Sequence, residues 1–264
     1  MDIKMIVVDL DGTLLNINKG CSNKSKEYLK KLKDRGYIIV IATGRVLMDS
    51  ISVTDGAEFA NYIIANSGGL IYDMNNKKII KNNYIDKLEV RRILESYNND
   101  IDYITMCDLY SYNRYGYNDI KMDFFYDKNV NDIDKFILDD NNIYHMIVKF
   151  RDISLLDRYY KTYDSDKIDV LVMQDSFSEN KWLEIFSEGV NKYNGIKYIS
   201  MLENISNDNI IAFGDSSNDM EMIKNVGIGV SMGNAIDELK DISKYITISH
   251  NEDGVIYFLK KYID

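Results

Sequence analysis

Proline is absent from this chain of 264 residues, and cysteine, histidine and tryptophan are scarce, at two, two and one. The lack of proline accompanies many Asn, Lys, Ile and Tyr residues; it reflects a compositional bias and excludes no function. The two cysteines, Cys21 and Cys107, form no C-x-x-C pair, and the first residues run into a charged core strand without a signal-peptide pattern. A reducing cytoplasm is therefore the expected location. No apolar run approaches the ~20 residues of a membrane span, so no membrane partner is expected. An excess of basic charge is also missing: 32 Lys and Arg stand against 42 Asp and Glu, a net charge of −10, and no basic block is dense enough to track a nucleic acid. A polyanion is disfavoured. A small anion is not, because local backbone N–H groups, a lysine and a divalent cation outweigh a distant net charge screened over roughly 8–10 Å.

What is present is ordinary for a globular protein, with 45% hydrophobic and 28% charged residues, and the length leaves room for a core plus a second compact unit. The organising stretch is Ile6-Val7-Val8-Asp9-Leu10-Asp11-Gly12-Thr13. With Met5 it begins as a short buried-strand pattern and runs out into two carboxylates spaced i, i+2, which strand geometry turns to one side. Gly12 then lets the backbone turn away tightly. Two acids at the carboxyl end of a strand need a cation or a shared proton.

A helix capped by Ser22 or Asn23 and ending near Arg35 and Gly36 leads to an apolar strand over Tyr37–Ala42, which gives a β-α-β unit with parallel strands. That strand ends in Thr43-Gly44-Arg45, where Thr43 either caps the next helix near Val46 or donates its hydroxyl to an anion. Arg45 is left between substrate and surface. A strand at Tyr62–Ala65 is followed by Asn66-Ser67-Gly68-Gly69, in which Asn66 reads chiefly as a turn former, and by a hairpin of Leu70–Asp73 and Lys78–Lys81. From Asn82 to Phe186 the pattern changes to half-exposed strands mixed with helices. Helices are expected at Lys87–Tyr97, Ile133–Leu138 and Ser154–Tyr163. Strands are expected at Tyr103–Cys107, Ile120–Tyr126, Ile143–Phe150, Val170–Met173 and Trp182–Phe186. The tyrosine-rich stretch Tyr110 to Tyr117 reads chiefly as a solvent-facing hairpin loop, the other reading being aromatic surfaces and Arg114 presented to a sugar. Lys192 stands in the first turn of a helix carrying Tyr193, Ile196, Ile199 and Leu202, a place unfavourable for a cation unless it faces an anion. The strand Asn209–Phe213 ends in Gly214-Asp215-Ser216-Ser217-Asn218-Asp219, with two acids four residues apart; Asp215 as a helix N-cap is the blander reading. Gly227–Ala235, Tyr245–Ile248 and a helix at Gly254–Tyr262 complete the core.

Asp9-Leu10-Asp11-Gly12-Thr13 resembles the first motif of the haloacid dehalogenase superfamily, Thr43 its second, and Gly214-Asp215-Ser216-Ser217-Asn218-Asp219 its G-D-x-x-N-D motif. Met232-Gly233-Asn234-Ala235 and Asn251-Glu252-Asp253-Gly254-Val255 are similar to the carboxyl-terminal pattern of its Cof-like sugar-phosphatase branch. The resemblance implies an α/β fold: a doubly wound, mostly parallel, Rossmann-like core over 1–81 and 187–264, with an inserted α+β cap of the large C2 type over 82–186. It also implies hydrolysis of small phosphate monoesters, such as sugar phosphates or related metabolites, through an aspartyl-phosphate. In that scheme Asp9 is the nucleophile and Asp11 the general acid and base. Thr43, Gly44, Lys192 and Asn218 hold phosphoryl oxygens. Mg²⁺ is bound by Asp9, the backbone carbonyl of Asp11, Asp215 and Asp219. A phosphosugar mutase and a non-catalytic regulatory phosphate-binding protein are the alternatives, and neither the individual ester nor the oligomeric state is legible.

Overall fold

The computed structural model describes residues 2–116, 126–138, 141–163, 165–174 and 180–263. Apolar runs set the core strands β1 (Met5–Val8), β2 (Ile38–Ala42) and β3 (Tyr62–Ala65). Helix α1 (Asn23–Asp34) joins the first two; Ser22 caps it by accepting from the Ser25 N–H, and Leu29 and Leu32 are its buried face. Helix α2 (Leu47–Val53) joins β2 to β3. The hairpin strands β4 (Leu70–Asp73) and β5 (Lys78–Asn82) follow.

Next come α3 (Lys87–Glu95), β6 (Ile101–Cys107), β7 (Tyr112–Tyr115), β8 (Asp127–Val130), α4 (Ile133–Leu138), β9 (His145–Phe150), α5 (Leu156–Tyr163), β10 (Ile168–Gln174) and β11 (Lys181–Ser187). The chain then forms α6 (Lys192–Leu202), β12 (Ile210–Gly214), α7 (Met220–Asn225), β13 (Ile228–Ser231), α8 (Asp237–Ile242), β14 (Tyr245–Ile246) and α9 (Gly254–Tyr262).

Contacts divide these elements into two compact units. One is Met1–Arg45, Ser50–Lys81 and Asn191–Asp264; the other is Val46–Asp49 and Asn82–Val190. The first unit is built on a sheet of order β14-β13-β12-β1-β2-β3-β4-β5. Strands β1, β2, β3, β12, β13 and β14 run parallel, and β4 is antiparallel to β3. Residues Met5–Val8 and Ile39–Ala42 are fully buried, as continuous apolar strands between helices must be. The order has one functional consequence. From β1 the chain proceeds to β2 and β3 on one side and returns to β12 and β13 on the other. The carboxyl ends of β1 and β12 therefore flank the switch point at which open α/β sheets bind ligands.

The second unit has a sheet of order β10-β11-β9-β6-β7-β8, antiparallel except for the parallel pair β7 and β8. One face is covered by the helices, with Val90, Ile93, Leu94, Leu156, Tyr159 and Tyr163 packed on Ile104, Met106, Met146, Val148, Leu183 and Ile185. This is the expected α+β pattern, with a difference at β7. The stretch read as a solvent-facing loop contains strand β7, in which Tyr112 and Asn113 are buried. The reason is hydrogen bonding that polar side chains disguise: the Tyr112 hydroxyl donates to Asp49 Oδ2 at 2.8 Å, and Asn113 Nδ2 donates to Asp108 Oδ2 and the Met106 carbonyl. The strand expected at Ile120–Tyr126 lies outside the described residues except for Tyr126. In the first unit, Leu202 is exposed rather than on the buried face of α6, and the last strand stops at Ile246.

Candidate active site

Asp9 leaves β1 with extended backbone and its amide donating to the Phe213 carbonyl of β12, which sets the first acid against the neighbouring strand end. Gly12, at φ +73°, makes the turn that follows; a Cβ there would stand 2.2 Å from Asp215 Oδ2, so only glycine lets the two motifs approach this closely. Thr13 Oγ1 donates to Asp215 Oδ1 at 3.1 Å, and Asn234 Nδ2 donates to the Gly12 carbonyl at 2.8 Å. One oxygen each of Asp9, Asp215 and Asp219 lies within 4.8 Å of the others, and all three residues are buried.

Lys192 opens α6 beneath this cluster. The side chain of Asn191 accepts from the Asn194 N–H and caps the helix, which fixes the lysine in the first turn. The side chain is 1% exposed, and its ammonium donates at 2.7 Å to both Asp9 Oδ1 and Asp219 Oδ1. The anions answer the electrostatic objection to a cation at a helix N-terminus. The other oxygen of Asp219 accepts from the backbone N–H groups of Asp215 and Ser216, at 2.9 and 3.1 Å. Asp219 thus forms a capping box with Ser216. Ser216 rather than Asp215 is therefore the cap, and Asp215 lies with Asp9 in the acid cluster.

The charges explain the titration behaviour. Burial alone disfavours the Lys192 ammonium, but Asp219 and Asp9 outweigh that and raise its pKa. Loss of water pushes the Asp9 carboxyl up to about 7, with Lys192 opposing and Asp219 and Asp11 adding to the rise. Burial and the Asp9 and Asp219 charges push Asp215 up as well. Shifts of opposite consequence across the Lys192–Asp9 pair have one cause: three buried acids share one ammonium. The lysine stays charged, and the acids need either a proton or a second cation. Hard carboxylate oxygens at this spacing fit a hard divalent cation.

The remaining residues predicted from sequence gather at the same strand ends. Thr43, 1% exposed, lies just beyond β2, and its Oγ1 accepts from the Arg45 N–H at 3.2 Å, which leaves the hydroxyl proton to donate. Gly44 abuts the loop of Asn218: a Cβ at Gly44 would be 3.7 Å from Asn218 Nδ2. Asn218 Oδ1 is taken by the Ser216 hydroxyl at 2.9 Å, so its amide nitrogen is the group directed to Gly44. Asp11 differs from the other acids in being exposed. It is gripped by Arg45, whose Nε and Nη2 donate to the two carboxylate oxygens at 2.6 Å each. Arg45 is buried rather than on the surface, with its guanidinium on Asp11. Sequence reasoning gave no role to Thr13 or Asn234. Thr13 was signalled by its place directly after Gly12; Asn234 had only the resemblance of its motif.

A profile of the haloacid dehalogenase-like hydrolase family matches residues 6–259. A 5-amino-6-(5-phospho-D-ribitylamino)uracil phosphatase of Bacillus subtilis is 30% identical, over 100% of this chain and 97% of its own length. Among solved structures, a haloacid dehalogenase-like hydrolase from B. subtilis superposes with a TM-score of 0.84 at 23% identity, covering 99% of this chain and 100% of that one. A sugar phosphatase described as subclass IIB superposes with a TM-score of 0.79 at 20% identity, covering 98% of both chains. With the two carboxylates after β1, and with Lys192 bridging Asp9 to Asp219 after β12 on this sheet, the chain belongs to the Cof-like branch of the haloacid dehalogenase-like hydrolases and is a phosphatase by family.

Proposed function

We propose that the protein hydrolyses small phosphate monoesters in a Mg²⁺-dependent reaction with an aspartyl-phosphate on Asp9. The observation that carries this reading is the Lys192 ammonium held between Asp9 and Asp219 with Asp215 alongside, a buried cluster with more acid than one lysine balances. Asp9, the Asp11 backbone carbonyl and Asp215 would hold the metal, with Asp219 binding directly or through water. Bound there, Mg²⁺ supplies charge screening between an anionic nucleophile and an anionic substrate.

The residues divide the work as follows. An Asp9 carboxylate oxygen attacks phosphorus, the phosphorus–alkoxide bond breaks, and Asp11 as the acid gives its proton to the departing oxygen. Asp11, now a carboxylate, takes a proton from water as that water attacks phosphorus. The bond to Asp9 then breaks and inorganic phosphate leaves. Lys192 neutralises Asp9 in the ground state and, with the Thr43 hydroxyl, the Gly44 backbone and Asn218, orients phosphoryl oxygens. Arg45 fixes the plane of the Asp11 carboxylate through its paired hydrogen bonds.

In this reading the first unit is the catalytic core and the second is the cap that selects the alcohol. Water, rather than a sugar hydroxyl, is the acceptor. A mutase requires a second anion site in the cap, and four of the cap arginines are paired with acids: Arg114 with Asp127, Arg92 with Glu89, Arg91 with Glu95 and Asp134, and Arg158 with Asp100. The name of the Bacillus relative makes 5-amino-6-(5-phospho-D-ribitylamino)uracil the first ester to test, beside sugar phosphates, nucleotides, flavin mononucleotide and pyridoxal phosphate. Phosphate release from at least one of these, abolished by a chelator and restored by Mg²⁺, is the expected result. Turnover undiminished in excess chelator would remove the metal from the account. A positional isomer formed faster than phosphate would identify a mutase.

A further inference from the structure

We propose that the Ser67 hydroxyl is a further substrate-binding group, donating a hydrogen bond to a phosphoryl oxygen beside Thr43 and Gly44. The inference rests on the phosphatase reading and adds to it a residue that no motif marks.

The starting point is backbone conformation. Asn66, Ser67 and Gly68 follow one another with φ of +49°, +54° and +111°. Side chains other than glycine meet a steric penalty in this left-handed region, and a serine has none of the local amide geometry that eases asparagine into it. The turn is held by contacts with the catalytic loops of its own unit. The Asn66 N–H donates to the Arg45 carbonyl and the Ser67 N–H to the Thr43 carbonyl, each at 2.9 Å. On the other flank, a Cβ at Gly68 would come within 2.3 Å of the Asn191 carbonyl, so the turn is pressed against the residue that caps the Lys192 helix.

Inside that clamp Ser67 is 3% exposed, and among the described residues its hydroxyl has no hydrogen-bond partner. Its Oγ lies 3.3 Å from the point where a Cβ on Gly44 would stand, and Asn218 Nδ2 lies 3.7 Å from the same point. Folding alone disfavours such a residue twice, through its φ and through a buried hydroxyl whose hydrogen bonding is unmet. Glycine would satisfy the first demand and alanine would avoid the second. A hydroxyl is advantageous there if an anionic oxygen arrives next to it. The phosphoryl group assigned to Thr43, Gly44, Lys192 and Asn218 is that anion.

The test uses inorganic phosphate, the reaction product, as a competitive ligand of the Mg²⁺-loaded full chain, together with thermal unfolding. Ser67→Ala should raise the inhibition constant for phosphate and lower kcat/KM for every accepted ester by a common factor of about 10–100, the range of a hydrogen bond to a charged group. Its unfolding midpoint should be unchanged or higher. Ser67→Gly should lose the same phosphate affinity and unfold at a higher temperature than Ser67→Ala, because it also relieves the backbone. Opposite movement of affinity and stability is what a purely structural serine would not show. Wild-type phosphate affinity in both variants would overturn the inference and leave the phosphatase reading standing, as would loss of affinity accompanied by an equal loss of stability in both, which would mark a hydroxyl satisfied by the fold or by buried water. A wild-type chain that neither binds phosphate nor releases it from any ester would overturn the phosphatase reading and the inference with it.

Discussion

Replacing Lys192 with methionine removes the ammonium and keeps most of the side-chain volume, so the effect reports charge rather than a cavity. In the wild-type chain the Lys192 side chain is 1% exposed, and its ammonium lies 2.7 Å from carboxylate oxygens of both Asp9 and Asp219. Its loss leaves Asp9, Asp215 and Asp219 buried together with no balancing cation. Breaking a buried ion pair from one side costs about 3–5 kcal/mol. For a chain of this size that is a fall of about 6–20 °C in the unfolding midpoint. The cost should depend on pH in a defined direction. Asp9 in the fold is pushed up to about 7 by burial, while the unfolded chain ionises near the ordinary 3.8. Metal-free native protein therefore holds a proton that the unfolded chain has released between about pH 4 and 7, and this contribution to stability is lost as pH rises through about 7. Without Lys192, whose charge opposes the rise at Asp9 and Asp215, those two acids retain protons to still higher pH, and the deficit of the variant should be small at pH 5 and large at pH 8. Mg²⁺ at pH 8 should recover part of it by replacing the missing charge. Circular dichroism melts of both proteins with chelator and with Mg²⁺ at the two pH values measure all four terms. A variant as stable as wild type at pH 8 without metal would refute the reasoning.

Two other substitutions separate catalysis from stability. Arg45→Lys cannot reproduce the paired 2.6 Å bonds to Asp11, whose carboxylate is 55% exposed; stability should change by less than about 1 kcal/mol while kcat falls at nearly constant KM, and an unchanged kcat would deny Arg45 its positioning role. Tyr112→Phe removes the donor to Asp49 Oδ2 and the acceptor of the Val46 N–H within the second unit, and should lower stability by about 1–3 kcal/mol in denaturant melts; no loss would show that β7 is held by its strand pairing alone.

Much of the core was legible because its information is local. Met5–Val8, Ile38–Ala42, Tyr62–Ala65 and Ile210–Gly214 are uninterrupted apolar runs, and each ends in the polar string whose side chains meet at the switch point. Parallel strands bring such ends together without further instruction. Strand β7 was hidden because its buried positions carry Tyr112 and Asn113, polar residues whose partners, Asp49 and Asp108, cannot be read from alternation. The Arg45 grip on Asp11 joins residues 34 apart and depends on two loop conformations, so the sequence left Arg45 between two roles. Ser67 was invisible for another reason. Only the left-handed backbone and the buried hydroxyl distinguish it from an ordinary turn serine.

The central claim is that Asp9 carries the phosphoryl group. Rapid acid quenching during turnover of an accepted ester, followed by peptide mass mapping, tests it most directly. With Mg²⁺ the peptide containing Asp9 should gain one phosphoryl mass, and the adduct should vanish with chelator or in Asp9→Asn; in Asp11→Asn, turnover should slow by ~10²–10⁴-fold while the adduct still forms. Phosphate release at the wild-type rate from Asp9→Asn, with deamidation to aspartate excluded, would contradict the account.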